Sequence, residues 1–309
     1  MKSKRSRTFL KYFLLLVLAV QLPFAFEVMQ SIRLRSYLDS LPRTEPAAVP
    51  FNDVKGLIHV HSGAGGHSLG TYPEIIGAGK RAGAKWILMT EHPREPFIFK
   101  RLYDPDLLMI YGWEEPREGG GRILRDENSR FVIFSEFDDR QVPDEADGIE
   151  IFNLAESAET HNNLYNWINW IYHHFTAEEM FFFQVWDLNR ESLDTWDNLL
   201  NIRPITATAG NDAHQNLGLR LETAMGQKIF TIQVDPYEIS MKSVSNHLLL
   251  PPGQTVSEEN VLKALKDGSS YLAFDLISDP EGFAYYAENG NRIYPPGSTV
   301  PAGSNLRLV

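Results

Sequence analysis

The stretch Gly56–Gly70, "GLIHVHSGAGGHSLG", places His59, His61 and His67 within nine residues of a chain that has nine histidines in all. Its first half is apolar and β-like. Successive strand side chains alternate between faces, so His59 and His61 project from one face, and the Gly-rich loop after Ser62 is supple enough to return His67 toward them. A lone histidine on an apolar strand is usually a hydrogen-bonded structural residue. Three together favour a metal, for which neutral imidazole is the commonest ligand.

The remaining candidate ligands fall at the ends of β-like runs. Glu91 and His92 follow "AKWILMT", Glu114 follows "DLLMIYGW", and Asp212 and His214, again two apart, follow "PITATAGN". Strand C-termini are where open α/β sheets and barrels place their chemistry. Singly, an acid at a strand end is more often a solvated loop residue. The ordered series H-x-H-x5-H, E-H, W-E and D-x-H has one explanation in common, a metal centre. Between these runs "PEIIGAGKRAG" reads as a helix, which gives a β/α alternation. Helices are also expected near 160–175 and 191–200, and "VSEENVLKALKDG" reads as a helix capped by Ser257 and stopped by Gly268. "RFVIFSE", "GIEIFN" and "EMFFFQVW" read as further strands.

The motif series resembles the PHP family, named for polymerase and histidinol phosphatase domains, over roughly residues 54–275. "HVHSGAGGH" resembles its H-x-H-S opening, "TEH" stands where the family has Thr-Asp-His, "GWEE" is similar to its Gly-x-Glu and "AGNDAHQN" to its closing Gly-x-Asp-x-His. The trailing "VLKALKDGSSYLAFDL" is similar to an exported branch that includes carbamate hydrolases. The resemblance implies a distorted seven-stranded, TIM-like β/α barrel carrying two or three divalent metals, zinc, manganese or iron. It implies that His59, His61, Glu114 and Asp212 surround one metal, and His67, His92 and His214 another, with Glu114 bridging toward a third position. The chain departs from the pattern at "FVIFSEFDD", where Glu136 stands in the place of a family His-Pro and is the expected replacement ligand, ahead of His161. Glu91, a methylene longer than the family Asp, is expected to orient an imidazole rather than to ligate. His173, His174 and, in a linker, His247 are expected to be structural or solvent-facing.

Composition narrows the chemistry. With no cysteine, disulfides, thiolate zinc sites and thiol nucleophiles are excluded. The basic start "MKSKRSRTFLK" precedes an apolar run from Tyr12 to Phe26, which reads as a membrane anchor or as a cleaved signal peptide, the anchor preferred because no small-x-small cleavage site follows. Either way the rest of the chain is expected outside the cytoplasm. Because five of its cations lie in the first eleven residues, the remainder is more acidic than the net charge of −11, which argues against an extended nucleic acid as partner. The expected organisation is an N-terminal segment at 1–30, a Pro-containing linker at 31–53, the metallohydrolase domain at 54–278, and a β-like extension at 279–309 that reads as the start of a truncated small domain.

The function expected from these features is hydrolysis of a small-molecule phosphoester by a metal-bound hydroxide, with Glu114 and Asp212 in the catalytic centre and Arg94, seconded by Arg220, facing the phosphate. A carbamate, ester or amide hydrolase at the same metals is the first alternative. A non-catalytic extracytoplasmic binding domain is the second.

Overall fold

In a computed structural model the chain is described over residues 2–42, 48–66, 68–92, 99, 101–135, 142–160, 163–222 and 228–309. Helix α1 (Lys2–Ser40) comes first, then β1 (Asn52–Val60), α2 (Tyr72–Arg81), β2 (Trp86–Met89) and β3 (Leu108–Ile110). Strands β4 (Gly112–Pro116), β5 (Arg122–Asp126), β6 (Val132–Ser135) and β7 (Gly148–Asn153) follow, and then helices α3 (Leu154–Thr160), α4 (Leu164–His174), α5 (Glu178–Gln184) and α6 (Arg190–Leu200). After β8 (Thr206–Gly210) come the hairpin β9 (Gly218–Glu222) and β10 (Lys228–Gln233), α7 (Tyr237–Ser243), β11 (Ser245–Leu250), α8 (Glu258–Lys266) and β12 (Ser270–Ala273). The chain finishes in β13 (Tyr285–Asn289), β14 (Arg292–Tyr294) and β15 (Asn305–Leu308), a three-stranded antiparallel sheet. Residues 1–43 and 160–185 form one compact unit, containing α1, α4 and α5, and the remainder forms the other.

The expected closed barrel does not form. The larger unit has two five-stranded sheets, in the orders β12-β11-β1-β2-β3 and β4-β5-β6-β7-β8, which touch through the isolated bridges Val60↔Ala213 and Glu91↔Trp113. Two features of the chain explain this. A β/α barrel needs parallel strands separated by helices, whereas β4, β5 and β6 pair antiparallel across short turns, and β11 runs antiparallel to both β1 and β12. The turn before β5 is made possible by Gly119, Gly120 and Gly121, all at positive φ, and the sequence reading had no strand there. At the seam between the sheets, His59 and Asp212 adopt left-handed φ of +66° and +43°, so regular ladders cannot run through them.

Strand alternation assigns each layer. From β1, Leu57 and Val60 pack outward with Ile87 and Met89 of β2 against Ile75 and Ala78 of α2 and Met241 of α7. Ile58, Trp86 and Leu88 point the other way and meet Leu124, Ile133, Leu248 and, from α8, Val261 and Leu265. In the second sheet Phe134, Ile149 and Ile151 face Leu193, Trp196 and Leu199 of α6. Period-two spacing therefore leaves Ser135 and Glu150, each next to one of these residues, on the opposite, inner face. Buried Asn246 ties β11 to β8, accepting from the Ala209 amide at 3.0 Å and donating to the Ala209 carbonyl at 2.7 Å.

Other expectations change locally. The run "EMFFFQVW" is helical, as α5, because a short apolar run has no period of its own to distinguish strand from helix. α1 passes through Pro23 and continues to Ser40, taking up much of the stretch read as linker. His247 lies within β11, where its Nδ1 is 2.8 Å from Asp53 Oδ1, so its role is structural as expected though its place is not.

Gly56 permits the closest approach in the first sheet: a Cβ there would fall 1.8 Å from the Trp86 indole. Gly56→Ala should therefore lower stability by ~1–3 kcal/mol through forced displacement of Trp86, read as a lower urea midpoint with an unchanged m-value. An unchanged midpoint would mean that the indole moves freely.

Candidate metal centre

Six expected site residues converge at the seam: His59 and His61 from the end of β1, His92 after β2, Glu114 from β4, and Asp212 and His214 after β8. The seam's own backbone positions them. The Ala213 amide donates to the His59 carbonyl at 3.1 Å and the His61 amide to the Ala213 carbonyl at 3.0 Å, while the Glu114 amide donates to the Glu91 carbonyl at 3.0 Å. A register shift between Ile58 and Val60 accompanies the left-handed His59, so its imidazole reaches the centre by a bulge rather than by simple alternation with His61.

Two carboxylate oxygens focus the imidazoles. Asp212 Oδ1 lies 3.3 Å from His59 Nε2, His61 Nε2 and His214 Nδ1 alike. Glu114 Oε2 lies 3.3, 3.2 and 3.4 Å from the Nε2 atoms of His59, His61 and His92, while Arg122 Nε holds the other oxygen, Oε1, at 3.0 Å. His61 stacks between His92 and His214, at centroid separations of 4.8 and 4.2 Å. Two sets, His61–His92–His214 and His59–His61–Asp212, each bring their donor atoms within 4.8 Å of one another, close enough to hold a metal ion, and His61 belongs to both.

Buried polar atoms in this cluster test whether a cation fits. Neither ring nitrogen of His61 nor Asp212 Oδ1 makes a hydrogen bond of proper geometry among the described residues. An unsatisfied buried group of this kind costs about 1–3 kcal/mol, and several converging on one centre is the arrangement that a shared cation relieves. The residues fit a divalent metal.

Glu150, which the sequence reading passed over, completes the centre. Its carboxylate lies 3.0 Å from His59 Nδ1 and accepts from Asn153 Nδ2 at 3.0 Å and from Ser135 Oγ. It thereby turns Nε2 of His59 inward, as acids behind metal-binding histidines do. Asn153 also donates to Asp212 Oδ2 at 3.3 Å. The signal was present in "GIEIFN", an acid between two isoleucines in a strand buried at every position. Gly210 leaves room for it, since a Cβ there would come within 1.9 Å of Glu150 Oε1.

Glu91 is buried, and its carboxylate is hydrogen-bonded by Ser62. It accepts the Ser62 amide at 3.1 Å and the Ser62 hydroxyl at 2.5 Å, so it fixes the loop after His61 rather than a ring. His61 is steadied instead through its carbonyl, which accepts the Tyr237 hydroxyl at 2.5 Å. His67, Arg94, Glu136 and His161 lie outside the described residues, as does the side chain of Arg220.

Charge in the pocket is strongly coupled. Burial alone would push His59 and His61 down, but Asp212 with Glu150 and Glu114 for His59, and Asp212 with Glu114 for His61, outweigh it and raise both above 6.5. Burial opposes ionisation of Glu114 and Asp212 as well, yet the neighbouring imidazoles hold both far below the usual carboxylate range. His214, penalised by burial and by the charges of His61 and His59, is pushed down to about 4 and is neutral near pH 7. No protein-family model matches the chain, and no curated protein matches it significantly.

Two outcomes are expected. Glu150→Gln should leave the fold intact by circular dichroism yet weaken divalent-metal binding roughly 10–100-fold, as measured by competition with a chromophoric chelator. Unaltered affinity would reduce Glu150 to a packing residue. Metal binding should also release protons, because the neighbouring carboxylates favour the protonated forms of His59 and His61 in the metal-free protein, whereas both must be neutral to ligate. Their raised values stabilise the metal-free fold fully below pH 6.5, and that contribution is lost as pH rises through the folded values. Apparent metal affinity should accordingly climb with pH above 6.5, with a buffer-dependent calorimetric heat. A pH-independent affinity between 6 and 8 would contradict this assignment.

Proposed function

We propose that this protein is a metal-dependent hydrolase of phosphoesters, related to the PHP metallohydrolases that its motifs resemble. It would be anchored by α1, with the metal centre outside the cytoplasm. The observation that carries the reading is the convergence of His59, His61, His92, Glu114, Asp212 and His214, from four separate segments, on two overlapping cation-sized positions. α1 is long and apolar enough to cross a membrane, and the cations of residues 2–11 precede its apolar part.

Bound divalent ions would supply Lewis acidity and an activated water. The chain's own groups then have separable tasks. His61 would ligate at one or the other of the two overlapping positions, Glu150 keeps His59 turned inward, and Glu114 is held by Arg122 on one oxygen so that the other stays among the imidazoles. His214, neutral near pH 7, is available as a ligand without first losing a proton.

One observation favours a second reading, hydrolysis of a carbamate, ester or amide. The cation placed at the ligands, Arg122, is already committed to Glu114, which makes it a poor receptor for a dianionic phosphate. The full chain loaded with manganese or zinc, assayed on phosphomonoesters, phosphodiesters, aryl esters and carbamates, separates the two. His61→Ala should remove metal from both positions and lower turnover at least ~100-fold. Full metal content and activity in that variant would sink the hydrolase assignment at this site.

A further inference from the structure

In the smaller unit α4 is turned inside out. Its polar residues Asn169 and His173 are buried: His173 Nε2 lies 2.9 Å from Ser31 Oγ of α1, and Asn169 Nδ2 donates to Gln184 Oε1 at 2.9 Å. Its apolar residues Leu164, Ile168, Ile171 and Phe175, spaced by four, three and four along the helix and its C-cap, form one stripe on the opposite side. Leu164 and Phe175 are 76% exposed and Ile171 50%. Trp170 is buried beside Asn169 and His173, so the distinguishing feature is the outward stripe, an exposed apolar patch of the kind that meets an apolar surrounding.

The rest of the unit identifies that surrounding. α4 is mounted on α1 through Phe24, which stacks on Tyr165 and Tyr172 at 5.0 and 5.4 Å, and through Ser31. The exposed apolar surface of α1 begins at Phe9 and extends past this junction to Phe26, Met29 and Ile32. From Phe9 to Phe24 a helix rises ~22 Å, short of the ~30 Å thickness of a bilayer's hydrocarbon, which places the junction about 8 Å inside the far boundary of that layer. Tyr165 and Tyr172 meet there, as aromatic residues do near the membrane–water boundary. The stripe on α4 is thus continuous with the apolar surface of the proposed span.

We propose that α4 is an interfacial helix whose Leu164–Ile168–Ile171–Phe175 face lies in the headgroup and acyl boundary of the bilayer that α1 crosses. This rests on the anchoring proposed above. It also makes α1 past Phe24 a structural partner of α4 rather than a disposable leader.

The absence of cysteine permits a direct test on the full chain. Single variants Leu15→Cys in α1, and Ile171→Cys and Phe175→Cys on α4, all at exposed positions, are labelled with an environment-sensitive fluorophore. They are reconstituted in phosphatidylethanolamine–phosphatidylglycerol vesicles containing nitroxide lipids, and circular dichroism checks that each is folded. The label at Leu15→Cys should be quenched best by a deep, acyl-terminal nitroxide. Both α4 labels should be blue-shifted and quenched roughly twofold better by a shallow nitroxide than by the deep one, as expected at ~5–10 Å depth. Quenching in α1 with none in α4 overturns the interfacial helix and leaves the anchor standing, and a blue shift in α4 without quenching assigns the stripe to a protein partner or second copy instead. No quenching at any position overturns the anchor and this inference with it.

Discussion

The candidate metal centre depends on two backbone hydrogen bonds, Ala213 N–H to the His59 carbonyl and His61 N–H to the Ala213 carbonyl. They hold the last residues of β1 against the segment after β8, although the strands belong to different sheets. Together with the Asn211 amide, which donates to the Ile58 carbonyl at 2.9 Å, they fix the separation of His59 and His61 on one sheet from Asp212 and His214 on the other. The residues around this clasp are the ones in unusual conformations. His59 and Asp212 occupy the left-handed region, which costs a non-glycine residue of order 1–3 kcal/mol. Both are over-determined by what surrounds them: His59 by Glu150 and its own carbonyl bond, and Asp212 by Asn153 and by His214, whose Nδ1 is 2.8 Å from the Asp212 carbonyl. Strain of this size persists where several contacts insist on it.

Negative charge is in excess inside that clasp. Glu114, Asp212 and Glu150 are enclosed with the imidazoles of His59, His61, His92 and His214, and Arg122 balances a single oxygen of Glu114. Buried carboxylates demand compensating positive charge. Protonation of His59 and His61, which these carboxylates favour, supplies it, and a divalent ion held by the same atoms would do so in its place, so protons and metal would compete for one electrostatic role. Glu91, equally buried, is stabilised instead by two donors of Ser62.

The site was legible in the sequence because its ligands sit at strand ends in short, dense motifs, where residue type and spacing fix the chemistry. Glu150 was not, because a single acid in an apolar strand looks the same whether it is a liability or a support; its meaning comes from Ser135, Asn153 and Gly210, three other strand-end positions that only folding brings beside it. The barrel was misread for a related reason. Strands and helices alternate in "GLIHVH", "PEIIGAGKRAG" and "AKWILM", and parallel pairing there is real, but the direction of β5 and β11 is set by turn chemistry and long-range pairing that a run of β-like residues does not record.

α4 shows the same limit from the other side. Its apolar period was readable, and periodicity alone would put Leu164, Ile168, Ile171 and Phe175 against the protein. What orients the helix is the pairing of buried polar groups: His173 is satisfied by Ser31 and by the Asn169 carbonyl at 2.9 Å, and the Asn169 amide nitrogen donates to Gln184. With those partners inside, the apolar stripe faces outward, and whether that orientation is stable depends on the solvent it meets. Hydrophobic periodicity therefore fixes which residues share a face, while the placement of hydrogen-bond partners, here 142 residues apart for Ser31 and His173, decides whether that face looks in or out.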